Sequence, residues 1–161
     1  MSGEGWMAIE IRTANEDDAE GISEVIIAAL RTTNAKDYSQ AVIEQVEKSF
    51  SPSAVAALIS KRMVFVALEE GKVVGTASLG GQVVRTVFVQ PCSHGQGIGS
   101  ELMSTIEQTA RGLGIEVLRV PSSITAERFY KKLGYSAVRE TFHGEERTIV
   151  MERYLMNSDF A

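Results

Sequence analysis

The sequence predicts a single α/β (α+β) domain over residues 1–161, built around one mixed sheet. Two observations support this fold class. Helical and strand periodicity alternate along the chain, in the order strand, two to three helices, three strands, helix, strand, helix and two strands. A chain of 161 residues, 44% of them hydrophobic, has the size of one domain and can bury a core without disulfides.

The N-terminal part predicts one strand followed by helices. Residues 9–12 alternate apolar and polar side chains, as a strand does. Asn15 and Asp18 form a capping-box-like pair before a first helix. A second helical region is expected over 39–50, and the serine and proline at 51–52 are typical of the start of a third helix. The apolar stripe of the first helix consists of Ala19, Ile22, Ile26, Ala29 and Leu30.

Three strands follow as a meander. Residues 63–68 and 73–79 are joined by a turn, and a Gly-Gly turn leads into a third strand over 83–89. The end of this third strand is apolar at nearly every position, which predicts that both of its faces are covered. Pro91 ends the strand because it has no backbone N–H.

The C-terminal part predicts a strand, a helix and a strand pair. A short buried strand is expected over 115–120, and residues 121–123 are expected to open the last helix. Gly134 follows that helix as a left-handed cap. Two β segments, at 135–138 and 148–154, are joined by a polar hairpin.

Charge and composition narrow the class of partner. Sixteen Lys and Arg against twenty-one Asp and Glu give a net charge of -5, and no basic run exceeds Lys131–Lys132, so we expect no nucleic-acid partner. Cys92 is the only cysteine and cannot form an internal disulfide. No segment approaches the roughly twenty apolar residues of a membrane span. We therefore expect a cytoplasmic protein without a membrane partner or a metal site, in which residues 1–6 are a candidate disordered leader.

A glycine-rich corner joins the third strand of the meander to the next helix. A helix N-terminus leaves its first N–H groups unpaired and carries a positive partial charge. Glycines without side chains let a phosphate approach those amides, so the corner predicts a pyrophosphate site. Its residues are His94, Gly95, Gln96, Gly97, Ile98, Gly99 and Ser100, and the helix stripe is Ile98, Leu102, Ile106, Ala110 and Leu113.

The glycine corner also has a simpler interpretation. Three glycines are by themselves consistent with tight packing of the chain where the strand turns into the helix. Nucleotide cofactors fit the corner less well. The spacing of Gly95, Gly97 and Gly99 matches neither the dinucleotide fingerprint nor a Walker loop, which disfavours NAD and ATP.

A second pattern lies on the predicted last helix. Ala126, Phe129 and Leu133 share one helical face and are expected in the core. Tyr130 is expected at the edge of that face with its hydroxyl in water.

Together the two patterns make residues 7–154 similar to the GNAT superfamily of acetyl-CoA-dependent N-acetyltransferases. The family loop Gln/Arg-x-x-Gly-x-Gly/Ala matches residues 94–99. The family motif Asn-x-x-Ala-x-x-Phe-Tyr-x-x-x-Gly-Phe/Tyr matches residues 123–135. His94 and Ser123 depart from these patterns, and we expect altered cofactor affinity at both positions.

The resemblance implies a mostly antiparallel sheet of six to seven strands with helices on both faces. It also implies transfer of the acetyl group of acetyl-CoA to a primary amine of a small molecule or peptide, by direct attack in a ternary complex. A backbone N–H near Val89 is the implied oxyanion donor, and Tyr130 the implied donor to the leaving thiolate. Further implied cofactor contacts are Val87, Phe88, Val89 and Ser123.

The general base and the assembly state stay open. Residues 82–89 contain no acid. A non-catalytic acyl-CoA-binding or regulatory module is the alternative function. Cys92 is interpreted as an incidental loop thiol, because the family transfers directly. A homodimer is left open, since an exposed strand supports dimers in many relatives. Candidate bases are Asp37, Tyr38, Glu140, His143, Glu145 and Glu146.

Overall fold

The computed structural model describes residues 9–155 as a seven-stranded sheet with helices on both faces. The proposed leader, residues 1–6, lies outside the described residues. Short 3-10 turns occur at Glu16–Asp18, Asn34–Lys36, Lys48–Phe50 and Pro91–Ser93. The elements are β1 (Ile9–Thr13), α1 (Ala19–Thr32), α2 (Gln40–Glu47), α3 (Pro52–Lys61), β2 (Met63–Glu69), β3 (Lys72–Gly80), β4 (Val83–Val89), α4 (Ile98–Gly112), β5 (Val117–Ser123), α5 (Glu127–Lys132), β6 (Ser136–His143) and β7 (Glu146–Tyr154).

The sheet has the strand order β1-β2-β3-β4-β5-β7-β6. All neighbouring strands are antiparallel except β4 and β5, which are parallel. The mostly antiparallel sheet of six to seven strands expected from the sequence is therefore confirmed. No helix within residues 9–155 is long and apolar enough to cross a membrane.

The side chains of β2 point alternately into two hydrophobic cores, one on each face of the sheet. Phe65 and Ala67 belong to the core under α4. Val64 and Val66 belong to the core under α1, α2 and α3. Because side chains of successive strand residues point to opposite faces, helices cover both sides of β2.

The predicted helix starts in the N-terminal part are confirmed. The side chain of Asn15 accepts from the backbone N–H of Asp17, and the carboxylate of Asp18 accepts from the Asn15 N–H at 2.8 Å. The hydroxyls of Ser39 and Ser51 cap α2 and α3 in the same way. The predicted stripe of α1 is buried.

Two sequence predictions about element ends are wrong. Residues 121–123 do not open a helix but continue β5, where Pro121 lies opposite Val150 on β7. Proline is tolerated there because β4, the other neighbour of β5, has already diverged and needs no hydrogen bond from it. Leu113 is 59% exposed, because α4 ends at Gly112 and the helical stripe ends with it.

Candidate active site

The site begins where the parallel strands β4 and β5 separate. They pair only at Val83 and Arg119, where the Arg119 N–H donates to the carbonyl of Gln82 at 3.0 Å. Towards their carboxyl ends the two strands diverge. The Gln90 N–H donates to Val74 on β3 at 2.8 Å, so by alternation the preceding N–H, that of Val89, points away from β3 into the gap. The gap thus contains a backbone donor without a strand partner.

A bulge in β4 precedes this gap. The register against β3 shifts between Thr76 and Ser78, and Thr86 has a φ of 59°. A β-branched residue in the left-handed region is strained, by about 1 to 3 kcal/mol. Such bulges re-aim the residues that follow, here Val87–Val89.

The glycine corner next to the gap has the backbone that the sequence predicts for an anion site. Gly95 and Gly97 have φ values of +86° and +78°, and a Cβ at either would meet nothing within 4 Å. Their conformation, not crowding, therefore requires glycine. The first helical bond of α4 runs from Glu101 to Gly97, which leaves the N–H groups of Ile98, Gly99 and Ser100 free of helical partners.

His94 and Ser123, which depart from the family motifs, both form hydrogen bonds with nearby backbone groups. His94 Nε2 lies 3.2 Å from the carbonyl oxygen of Val89, and because a carbonyl only accepts, Nε2 carries the proton. The hydroxyl of Ser123 accepts from the Ala126 N–H at 3.2 Å and caps the turn before α5. Ser123 therefore stabilises the chain path next to the gap.

A cavity of about 1010 Å³ joins the gap, the glycine corner and the inner side of α1 and α2. Gln96 is exposed and is not among its lining residues. The cavity brings together the remaining predicted site residues, which are Val87, Phe88, Val89, His94, Gly95, Gly97, Ile98, Gly99, Ser100, Ser123 and Tyr130.

Both faces of the end of β4 are only partly covered, where the sequence predicts that they are covered fully. Val87, Phe88 and Val89 are half-buried because the cavity takes the place of packed neighbours. The Phe88 ring packs edge to face on Phe50, with ring centroids 6.1 Å apart, on the side of α1, α2 and α3. Val87 and Val89 face the α4 core instead.

The position of Tyr130 also corrects the sequence prediction. It is buried in the α4 core with 4% exposure, while Ala126, Phe129 and Leu133 are only partly buried beside it. The hydroxyl of Tyr130 takes part in no hydrogen bond among the described residues, and no fully enclosed side-chain oxygen there lacks a partner. The hydroxyl is therefore open to the cavity that Tyr130 lines. Burial raises the pKa of this phenol well above its usual value, so it is neutral at physiological pH.

The segment before α2 forms hydrogen bonds with residues on the other side of the cavity. The Tyr38 hydroxyl accepts from the Ile124 N–H at 2.7 Å and donates to the carbonyl of Arg147 at 3.1 Å. Burial raises the pKa of Tyr38. Asp37 accepts from Thr125 at 2.8 Å. These bonds connect the helical part of the chain to the segment after β5 and to β7, which sequence patterns do not reveal.

The six candidate bases separate by position. Glu140 is exposed and pairs with Arg147 at 2.6 Å. Tyr38 already uses its hydroxyl twice. His143 and Glu146 line the cavity and lie opposite each other across the β6–β7 hairpin. Of the carboxylates in residues 9–155, Glu146 alone lines the cavity.

Sequence reasoning missed two arginines in the cavity wall. Arg62 follows α3 and Arg85 lies on β4, and both line the cavity. Arg62 Nη1 donates to the Thr86 hydroxyl at 3.3 Å. They are far apart in the chain and belong to no motif, so only the fold brings them together.

These features fit two chemically distinct parts of acetyl-CoA. Free amides at the start of α4 suit a pyrophosphate, and the gap between β4 and β5 suits an extended arm that bonds to a strand edge. A neutral phenol and an unpaired N–H lie beside that gap. Fold and site together define an acyl-CoA-dependent transferase.

Comparison with known proteins gives the family. Residues 34–154 match the model of the acetyltransferase (GNAT) domain. An aminoalkylphosphonate N-acetyltransferase of Salmonella typhimurium (strain LT2) is 29% identical over 140 residues, which cover 78% of this chain and 84% of that protein. The chain belongs to the GNAT family and is an acetyl-CoA-dependent N-acetyltransferase.

Solved structures agree with this assignment. A GCN5-related N-acetyltransferase from Rhodopseudomonas palustris superimposes with a TM-score of 0.86 at 26% identity, over 94% of this chain and 99% of that one. The PaiA N-acetyltransferase of Thermoplasma acidophilum, solved with coenzyme A, has a TM-score of 0.79 at 22% identity, over 92% and 99% of the two chains. At 22% identity, the similarity to PaiA shows only that the two proteins share a fold.

Proposed function

We propose that this enzyme transfers the acetyl group of acetyl-CoA directly to a primary amine of a small-molecule or peptide acceptor within a ternary complex. The observation that carries the proposal is that Tyr130 and Val89 line one cavity together with the N-terminus of α4. A thiolate donor, an oxyanion donor and an anion site are thereby combined. When bound, acetyl-CoA supplies an activated carbonyl: the amine nitrogen forms a bond to it, the C–S bond breaks, and an amine proton ends on the sulfur.

The backbone next to the gap has two roles in this proposal. The amides of Ile98, Gly99 and Ser100 bind the pyrophosphate, and the edge of β4 at Val87 and Val89 binds the pantetheine arm. An N–H near Val89 donates to the thioester oxygen as negative charge develops there. Because this donor is fixed by the sheet, it needs no reorganisation during the reaction.

Tyr130 stabilises the departing sulfur. Its raised pKa keeps the proton on the phenol, so the hydroxyl acts as a hydrogen-bond donor to the thiolate at neutral pH. The surrounding rings hold the hydroxyl in place: Phe129 and Tyr135 pack edge to face on Tyr130 at centroid distances of 5.1 and 5.8 Å.

We propose His143 or Glu146 as the group that accepts a proton from the incoming ammonium form of the acceptor. In the tautomer that carries the proton on Nδ1, His143 donates to the carbonyl of Phe142 at 3.2 Å and its Nε2 is the nitrogen that can accept. Both side chains line the cavity, whereas Glu140 and Glu145 do not.

The acceptor is best sought with a panel of primary amines and a free-thiol readout. Because the Salmonella relative is named an aminoalkylphosphonate N-acetyltransferase, aminoalkylphosphonates are tested first. We expect thiol release that requires protein, acetyl-CoA and amine together, with the N-acetyl product confirmed by mass spectrometry. Coenzyme A binding without amine-dependent thiol release across the panel would contradict the proposal.

A further inference from the structure

Two arginines line the cavity on the side of the N-terminal helices. Arg85 lies on β4 four residues before Val89, a separation of at most about 13 Å along a chain that bulges at Thr86. Arg62 follows α3 and reaches the same strand through its bond to the Thr86 hydroxyl. Both side chains therefore border the part of the cavity between β4 and α1 to α3.

Neither guanidinium has a carboxylate partner within residues 9–155. Among the described residues, five other arginines do have carboxylate partners, as in the pairs of Arg12 with Asp18 and of Arg153 with Glu107. Arg111, Arg128 and Arg139 have none there, but these three are exposed and do not line the cavity. The one described carboxylate that lines the cavity, Glu146, lies on the β6–β7 hairpin. Arg62 and Arg85 thus form a cationic end of the cavity.

The positive charges of Arg62 and Arg85 repel each other. Burial lowers the pKa of Arg62, and the positive charge of Arg85 lowers it further. Two like charges on one cavity wall, the half-buried Arg62 and the exposed Arg85, are stabilised when an anion binds between them. Two guanidinium groups also offer paired N–H donors that match the oxygens of a tetrahedral oxyanion.

We infer that Arg62 and Arg85 bind an anionic phosphonate or phosphate group of the acceptor while its amine points towards Val89 and Tyr130. The inference rests on the proposed function, because it assumes that the acceptor enters this part of the cavity. It assigns the acceptor to small aminoalkyl compounds with a terminal oxyanion. A dianion suits two cations better than a carboxylate does.

The binding test uses calorimetry, so that it does not depend on catalysis. Titrations of 2-aminoethylphosphonate and of propylamine, its counterpart without the phosphonate group, are compared for the wild type, Arg62→Gln and Arg85→Gln. Arg111→Gln is the control, because Arg111 is exposed on α4 and does not line the cavity. We expect each cavity variant to weaken phosphonate binding roughly 10- to 100-fold and the control to bind as the wild type does.

Folding is checked separately, since Arg62 also bonds to Thr86. Arg85 forms no side-chain hydrogen bond among the described residues, so Arg85→Gln is expected to melt at the wild-type temperature. Equal phosphonate binding by the wild type and a folded Arg85→Gln would overturn the inference. Equal binding of propylamine and 2-aminoethylphosphonate by the wild type would overturn it as well.

A kinetic test separates this inference from the proposed function. In both arginine variants the ratio of kcat/KM for 2-aminoethylphosphonate to that for propylamine should fall about tenfold or more, and Arg62→Lys should recover part of it. If only the KM for acetyl-CoA rises, the arginines belong to the cofactor site and the inference is overturned. If the wild type acetylates no amine, the proposed function fails, while the calorimetric result still decides on the anion site.

Discussion

Tyr130 and Tyr135 pack edge to face, with ring centroids 5.8 Å apart and planes at 68°, yet their hydroxyls have different surroundings. The Tyr135 hydroxyl donates to Glu107 at 2.8 Å inside the core. The Tyr130 hydroxyl has no partner among residues 9–155 and opens to the cavity. The Tyr135 hydroxyl therefore stabilises the core, whereas the Tyr130 hydroxyl is available to a ligand.

Replacing Tyr130 by phenylalanine tests the thiolate donor. The ring packing is retained and only the cavity hydroxyl is removed, so we expect kcat to fall about 100-fold. The KM for acetyl-CoA should change less than about threefold, because the hydroxyl acts on the departing sulfur. Steady-state thiol release measures both quantities. An unchanged kcat would remove Tyr130 from the chemistry.

Tyr135→Phe is the matched control, and we expect it to lower stability but not activity. It leaves the buried carboxylate of Glu107 with one partner fewer, although Arg153 still pairs with it at 2.9 Å. We expect the free energy of unfolding to fall by about 1 to 3 kcal/mol while kcat at 25 °C stays near that of the wild type. Urea denaturation followed by circular dichroism measures the first quantity. A loss of activity as large as in Tyr130→Phe would show that the two hydroxyls are not separate in function.

Gly97→Ala tests the anion site at the start of α4. Because Gly97 has a φ of +78°, alanine costs about 1 to 2 kcal/mol of backbone strain and distorts the amides that follow. We expect the KM for acetyl-CoA to rise about tenfold or more. Gly112→Ala, at the other end of the same helix, meets no atom within 4 Å and should leave KM unchanged. Equal effects on KM would argue against a specific role for the corner.

The ion pair at the start of the fold predicts a pH dependence of stability. The hydrogen bond from Arg12 lowers the pKa of Asp18 below its usual 3.8. Ionised Asp18 therefore stabilises the folded state above that value, and the contribution is lost as the pH falls through the folded-state pKa.

Asp18→Asn should therefore destabilise the protein by about 1 to 2 kcal/mol at pH 7, and the difference from the wild type should shrink below pH 4. Asp17→Asn is the control, because Asp17 contributes only its backbone N–H to the cap. Thermal melts between pH 3 and 7 measure the effect. A difference that is constant over this range would contradict the role of the charge.

The sequence predicts what depends on local periodicity and fails where distant elements decide. The capping box of Asn15 and the glycine corner are local, and both are confirmed as geometry. Helical spacing alone predicts Tyr130 at the edge of a face with its hydroxyl in water, but α5 has only six residues and the burial of Tyr130 depends on Tyr135 and on the core beyond it. The sequence predicts that Pro121 opens a helix, but pairing with β7 keeps it in a strand.

The acceptor side is the least predictable part of the site. The contact of Tyr38 with Ile124 and the shared cavity of Arg62 and Arg85 join residues that are distant in the chain. Strain at Thr86 likewise arises from the bulge against β3 and leaves no sequence signal. Motifs therefore predict the proposed acetyl-CoA site, while the proposed acceptor pocket requires the fold.

The kinetic mechanism most directly tests the claim that the amine attacks acetyl-CoA within a ternary complex. Cys92 is exposed and does not line the cavity, which favours direct transfer over an acetyl-cysteine enzyme. Initial rates of thiol release are measured while acetyl-CoA and the amine are both varied, for the wild type and for Cys92→Ser. We predict intersecting double-reciprocal lines for both proteins, as a ternary complex requires. Parallel lines for the wild type, with activity lost in Cys92→Ser, would contradict direct attack.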